Sequence, residues 1–165
     1  EILLVEEKTL EEAVQLMAES EKIVAEGAGA AGLAALLAYG DRFAGRKVGL
    51  VVSGGNIDSR VLASILMRGL ARDGRLARLR IEISDAPGVL ARVAGTIGAA
   101  GANIIEVYHH RLYYDVPVTM ADLDVVIETR NRVHVQEILT ALGAAGFPCR
   151  LLSGTAVAQE GESAI

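Results

Sequence analysis

The sequence predicts an α/β protein in two parts: an incomplete layer of helices and strand, then a βαββαβ domain of ferredoxin-like order. Three observations predict it. Lys47-Val48-Gly49-Leu50-Val51-Val52 is a continuous apolar run ending in Ser53-Gly54-Gly55-Asn56, the pattern of a buried parallel strand with a turn at its carboxyl end. Ala71-Arg72-Asp73-Gly74-Arg75 is charged and holds a glycine, which marks a boundary. Beyond it, segments that alternate apolar and polar residues trade places with segments of helical spacing.

In the first part, Thr9-Leu10-Glu11-Glu12 has the form of a capping box, and Leu10, Val14 and Met17 fall on one face of a helix running to about Glu21. Ile23-Val24-Ala25 is a short apolar piece, part of a second strand at most. Gly29 to Tyr39 is a small-residue helix closed by Gly40, built for close packing. After the apolar run, Asp58 or Ser59 caps a helix carrying Val61, Leu62, Ile65 and Leu66. One strand and a piece of another do not make a parallel sheet. This part is therefore either incomplete or packed against another copy. The chain opens on Glu1 and the apolar Ile2-Leu3-Leu4-Val5, which predicts a missing N-terminal portion.

In the second part, Leu79, Ile81 and Ile83 alternate with Arg80, Glu82 and Ser84, giving a half-buried strand that Pro87-Gly88 ends. Leu90, Val93, Ala94 and Ile97 repeat at helical spacing, and Gly98 and Gly101 close that helix. Asn103 to Arg111 is the second strand, followed by a turn region with Pro117. Leu123, Val125 and Ile127 mark the third strand, against Asp122, Asp124, Val126 and Glu128. Val135, Ile138, Leu139 and Leu142 make the second helix, and Phe147, Cys149 and Leu151 the fourth strand. The boundaries are 1–72 for the first part, 73–77 for a linker, 78–155 for the βαββαβ domain and 156–165 for a polar, frayed tail.

Composition narrows the classes. The formal net charge is −5, and no basic cluster is dense enough for a nucleic-acid face. Arg72, Arg75, Arg78 and Arg80 are diluted by Asp73 and Glu82 and fit a solvated connector. One cysteine, Cys149, excludes an internal disulfide framework. No apolar run is long enough to span a bilayer as a helix, so no membrane partner is expected and a cytoplasmic location is the default. His109 and His110 are adjacent on a strand and face opposite sides, which argues against a shared metal; one suits a subunit seam and the other solvent. Tyr108, Tyr113 and Tyr114 suit an interface, a lid or plain packing.

The chemistry concentrates in Ser84-Asp85-Ala86-Pro87-Gly88-Val89-Leu90. This loop opens a helix, whose first N–H groups and positive dipole end attract a carboxylate. Gly88 leaves that backbone uncovered. Asp85 either accepts from an ammonium group or caps the helix, and Pro87-Gly88 either frames a ligand or is only a tight turn. Asn103 offers a donor and an acceptor together, to a zwitterion or to its own turn. N–H donors on one side and a carboxylate on the other suit a free amino acid.

The strand and helix order, with Asp85-Ala86-Pro87-Gly88-Val89-Leu90 and Gly101-Ala102-Asn103-Ile104, resembles the ACT domain family of small-molecule sensors. The resemblance implies that such domains pair side by side. It implies amino-acid binding between the strand-one loop of one copy and strand two of another, with Asp85, Gly88 and Asn103 as effector contacts. A module that only mediates assembly shares the same fold.

Glu26-Gly27-Ala28-Gly29-Ala30-Ala31-Gly32 followed by Val51-Val52-Ser53-Gly54-Gly55-Asn56 resembles the C-terminal part of threonine ammonia-lyases. These are pyridoxal-phosphate enzymes of the tryptophan-synthase-β fold type, and the form implied here carries one ACT domain. The resemblance implies that Ser53 contacts the cofactor's pyridine nitrogen. It implies conversion of threonine to 2-oxobutanoate and ammonia in isoleucine biosynthesis, and an effector among isoleucine, valine, threonine and serine. A homodimer or tetramer through the ACT domains is also implied. Glu26 either lines the cofactor cavity or is a strand-end residue. The family's Schiff-base lysine, in a Ser-x-Lys stretch, and its glycine-rich phosphate loop are missing. Lys8, Lys22 and Lys47 are the only lysines, and none has that context. By itself the chain is expected to hold no catalytic residue, not to retain pyridoxal phosphate and not to turn over. The alternative is a non-catalytic amino-acid-binding or dimerisation module.

Overall fold

The structure, a computed structural model, describes residues 2–110 and 119–152. The turn region around Pro117, with Tyr113 and Tyr114, and the tail from 156 lie outside the described residues. The chain divides into two compact units, Glu1–Gly69 and Leu70–Ile165.

The first unit is helical. Helix α1 spans Glu7–Leu16 and runs into a single π turn, Met17–Glu21. Helix α2 spans Gly27–Ala38, the short α3 Gly40–Phe43, and α4 begins at Ser59 and ends at Arg72. The capping box at Thr9 does not form: Thr9 lies inside α1, because the Glu6 carbonyl already accepts the Thr9 and Leu10 N–H groups at 3.0 and 3.1 Å. At α4 the expected cap is present, with Asp58 Oδ1 accepting from the Arg60 and Val61 N–H groups at 2.9 and 3.2 Å. The core is Ala13, Val14, Met17, Ala25, Ala30, Ala34 and Ile65. Three of its members are alanines of α2 and the segment before it, which lets backbones approach closely.

The apolar run 47–52 is not the buried strand its sequence predicts. No residue of it is in a strand, and Val51 is 83% exposed. Apolar residues specify burial, but a strand also needs a neighbour to hydrogen-bond, and the described residues of this unit contain no strand. The nearest thing to pairing is one bond, from the Glu26 N–H to the Gly54 carbonyl at 3.1 Å.

The second unit has the predicted βαββαβ order. Strand β1 is Leu76–Ser84, α5 Val89–Ala99, β2 Asn103–His110, β3 Met120–Glu128, α6 Arg132–Ala144 and β4 Cys149–Leu151. All pairings are antiparallel, in the order β2-β3-β1-β4. One face packs Leu79, Ile81, Ile83, Leu123, Val125 and Ile127 against Val93 and Ile97 of α5 and Ile138 and Leu142 of α6. The period-two alternation of β1 and β3 produces this face directly. Burying such side chains stabilises by roughly 1.5–3 kcal/mol each.

The other face is polar. Asp124 sits there opposite Arg80 in the β1–β3 ladder and opposite Tyr108 in the β2–β3 ladder. Its carboxylate accepts from Arg80 Nε at 2.7 Å, Arg80 Nη2 at 2.9 Å and Arg78 Nη2 at 2.8 Å, and His110 Nε2 lies 3.4 Å away. These side chains cover Asp124 completely. Arg78 and Arg80 are therefore strand residues engaged in an ion-pair group rather than a solvated connector.

Candidate functional site

Strand β1 ends at Ser84, and Asp85 to Gly88 carries the chain over to α5. The Asp85 N–H donates to the Thr119 carbonyl at 3.0 Å, which fastens the loop to the start of β3. Gly88 is the N-cap of α5 in the left-handed region, φ 83°, and accepts the Arg92 N–H through its carbonyl at 3.2 Å. A side chain there would be strained, yet nothing lies within 4 Å of where its Cβ would stand. The glycine is thus set by conformation, and the space before it is open. No side chain caps the helix, so Asp85 is not its cap.

Asp85 instead faces β2. Its Oδ1 lies 4.0 Å from His109 Nε2, with both side chains partly exposed. His109 pairs with Leu123 and His110 with Asp122, and the two rings turn to Asp85 and Asp124 respectively. Strand alternation foresaw these opposite directions; the His109–Asp85 approach depends on the path of the loop and had no signal in sequence. The mouth of α5 thus places a carboxylate and an imidazole beside a helix N-terminus, which can accept from a cation and donate to an anion.

Asn103 is elsewhere. It is exposed and opens β2 opposite Glu128, whereas Ser84, next to Asp85, is opposite Met120. Met120 and Glu128 are the two ends of β3, so roughly 27 Å of strand separates these positions. Within one copy the structure joins Asp85 and Gly88 but sets Asn103 at the far end of the sheet. Strand β2 is the long edge of that sheet, and on it Ile105, Val107 and Tyr108 are exposed.

In the first unit, Ser53 is exposed and Gly54 lies against the Glu26 side chain at the start of α2. A Cβ on Gly54 would collide with the Glu26 carboxylate, and one on Gly29 with the Gly54 carbonyl. Loop 53–56 and the start of α2 are therefore one closely packed element. Of the groups the resemblance implies for a pyridoxal-phosphate site, this element holds one exposed hydroxyl, that of Ser53. Lys22 Nζ donates to the Glu19 carbonyl at 2.6 Å, and Lys8 lies in α1. The residues present do not by themselves make up the cofactor's site. Among the described residues no cluster of His, Cys, Asp and Glu is placed to hold a metal ion, and no helix is long and apolar enough to cross a membrane.

Residues 77–146 match the family model of the ACT domain. The L-threonine ammonia-lyase of Thermotoga maritima is 38% identical over 152 residues, 92% of this chain and 38% of that protein. The L-threonine ammonia-lyase of Geobacter sulfurreducens is 38% identical over 147 residues, 89% of this chain and 37% of that protein. An L-threo-3-hydroxyaspartate ammonia-lyase from Pseudomonas sp is 39% identical over 66 residues, 40% of this chain and 21% of that protein. The chain spans 38% and 37% of the length of the two L-threonine ammonia-lyases, so well over half of each has no counterpart in it. Over residues 77–146 it therefore resembles an ACT domain and, across most of its length, a segment of the L-threonine ammonia-lyases.

Proposed function

We propose that this chain is the regulatory, carboxyl-terminal portion of a cytoplasmic threonine ammonia-lyase, which converts L-threonine to 2-oxobutanoate and ammonia. Its ACT domain senses an amino acid and joins copies of the enzyme. In the whole enzyme pyridoxal phosphate would supply the electron sink for β-elimination, and Ser53 would hold its ring nitrogen. The chain alone lacks the aldimine lysine and is inactive. Its exposed apolar run 47–52 is left for the remainder of the catalytic domain to cover.

The observation that carries the sensing reading is the separation of Asp85 from Asn103. Two copies paired antiparallel through their β2 edges, about a two-fold axis, bring the Asn103 end of one strand to the His110 end of the other. That end is the one His109 shares with Asp85. A two-copy sheet therefore gathers Asp85, Gly88 and the partner's Asn103 at one site, twice per dimer. It also covers Ile105 and Val107 and removes an open edge.

Titration calorimetry with isoleucine, valine, threonine and serine tests this. At least one binds, and Asp85→Ala and Asn103→Ala each weaken it by about tenfold or more, the loss of one charge-assisted contact. Absence of heat with all four amino acids makes the domain an assembly module only.

A further inference from the structure

We infer, building on that sensing site, that His134 is a positioning residue for it, fixing the turn that presents Asn103. His134 lies in the first turn of α6 and is 1% exposed. Its Nδ1 lies 3.1 Å from the Arg130 backbone nitrogen and its Nε2 2.8 Å from the Ala100 carbonyl. A backbone N–H only donates and a carbonyl only accepts. Nδ1 is therefore the acceptor and Nε2 carries the hydrogen, so the ring is neutral and both nitrogens are used.

The bond to Ala100 joins residues 34 apart in sequence. Ala100 is the C-cap of α5, where carbonyls have no partner within the helix. From there the chain reaches β2 in three residues. The Gly101 N–H donates to Gly98 at 2.9 Å and the Ala102 N–H to Ile97 at 3.3 Å, and Asn103 then enters the ladder opposite Glu128. The imidazole thus clamps the carbonyl from which this turn departs. Its own anchorage is firm, because Asn131 Oδ1 caps α6 by accepting the His134 N–H at 2.9 Å. Asp85 and Gly88 are at the other end of the sheet. His134 consequently acts on one half of the shared site, the half each copy lends to its partner.

Two substitutions split the two bonds. His134→Gln keeps an N–H donor near the position of Nε2 and gives up the acceptor for Arg130. His134→Asn keeps an acceptor near Nδ1 and gives up the donor to Ala100. Both lower the melting temperature. The Asn variant weakens effector binding about tenfold, and the Gln variant stays within about twofold of wild type. Hydrogen exchange at the Gly101 and Ala102 amides speeds up in the Asn variant alone. Equal affinities in the two variants, or losses that follow their melting temperatures, would overturn the assignment. Should the wild-type chain bind no amino acid, the sensing function fails, and unchanged exchange at Gly101 and Ala102 separately refutes the clamp.

Discussion

Asp124→Asn lowers the stability of the second unit by about 2 kcal/mol at pH 7. The hydrogen bond from Arg80 is the main reason the Asp124 carboxyl is held at about 2 rather than 3.8; burial opposes this, and Arg78 adds to it. Each unit of depression is worth about 1.4 kcal/mol, and Asp124 itself is wholly buried. Half the Arg78 side chain is exposed, so part of its attraction is screened by solvent. Because the folded value lies below the unfolded one, the contribution is complete above about pH 4 and is lost as pH falls toward 2. Urea unfolding at pH 7 and near pH 2 checks this. The gap between wild type and variant closes in acid; a gap of equal size at both pH values means the carboxylate charge is not what Asp124 contributes.

Gly74→Ala costs more, about 3 kcal/mol. Gly74 sits between α4 and β1 with φ +69°, where an L side chain is strained. A Cβ there would stand 2.6 Å from the Arg132 nitrogen and 2.8 Å from its Cα. Those are backbone atoms at the start of α6, and they cannot easily withdraw. Arg132 is tied down by Nε and Nη2 donating to the Arg72 carbonyl at 2.9 and 2.6 Å, and the Thr129 hydroxyl donates to Gly74 itself. Gly143→Ala is the contrast: it lies in α6 with nothing within 4 Å and leaves stability unchanged or slightly raised. Chemical denaturation of the two variants checks the pair, and a Gly74→Ala protein as stable as Gly143→Ala contradicts it.

The second unit was legible because its signals are local. Leu79, Ile81 and Ile83 alternate, and all three are buried. Val135, Ile138 and Leu142 keep helical spacing, and all three face the sheet. Asp124 shows where such reasoning stops. Alternation placed it correctly on the polar face, but its burial is decided by arginines 44 and 46 residues away, and only the β1–β3 register brings them there. Asn103 is similar: its chemistry is visible in sequence, while its distance from Asp85 is a property of the sheet. The run 47–52 misled for another reason. Its residues state a need for burial and do not state what covers them. Gly54, next to Ser53, packs against the Glu26 side chain; no cofactor site can be read from these residues alone.

The claim that two copies share each effector site is tested most directly by mixing Asp85→Ala and Asn103→Ala chains after unfolding and refolding them together. Each variant alone has no intact site. In a mixed dimer one site carries both substitutions and the other carries neither. With random pairing, half the dimers are mixed, so the mixture recovers about one quarter of the wild-type number of binding sites, at wild-type affinity. Recovery of no sites in a sample whose chains have exchanged would contradict the shared site, because residues lying in one copy cannot complement each other.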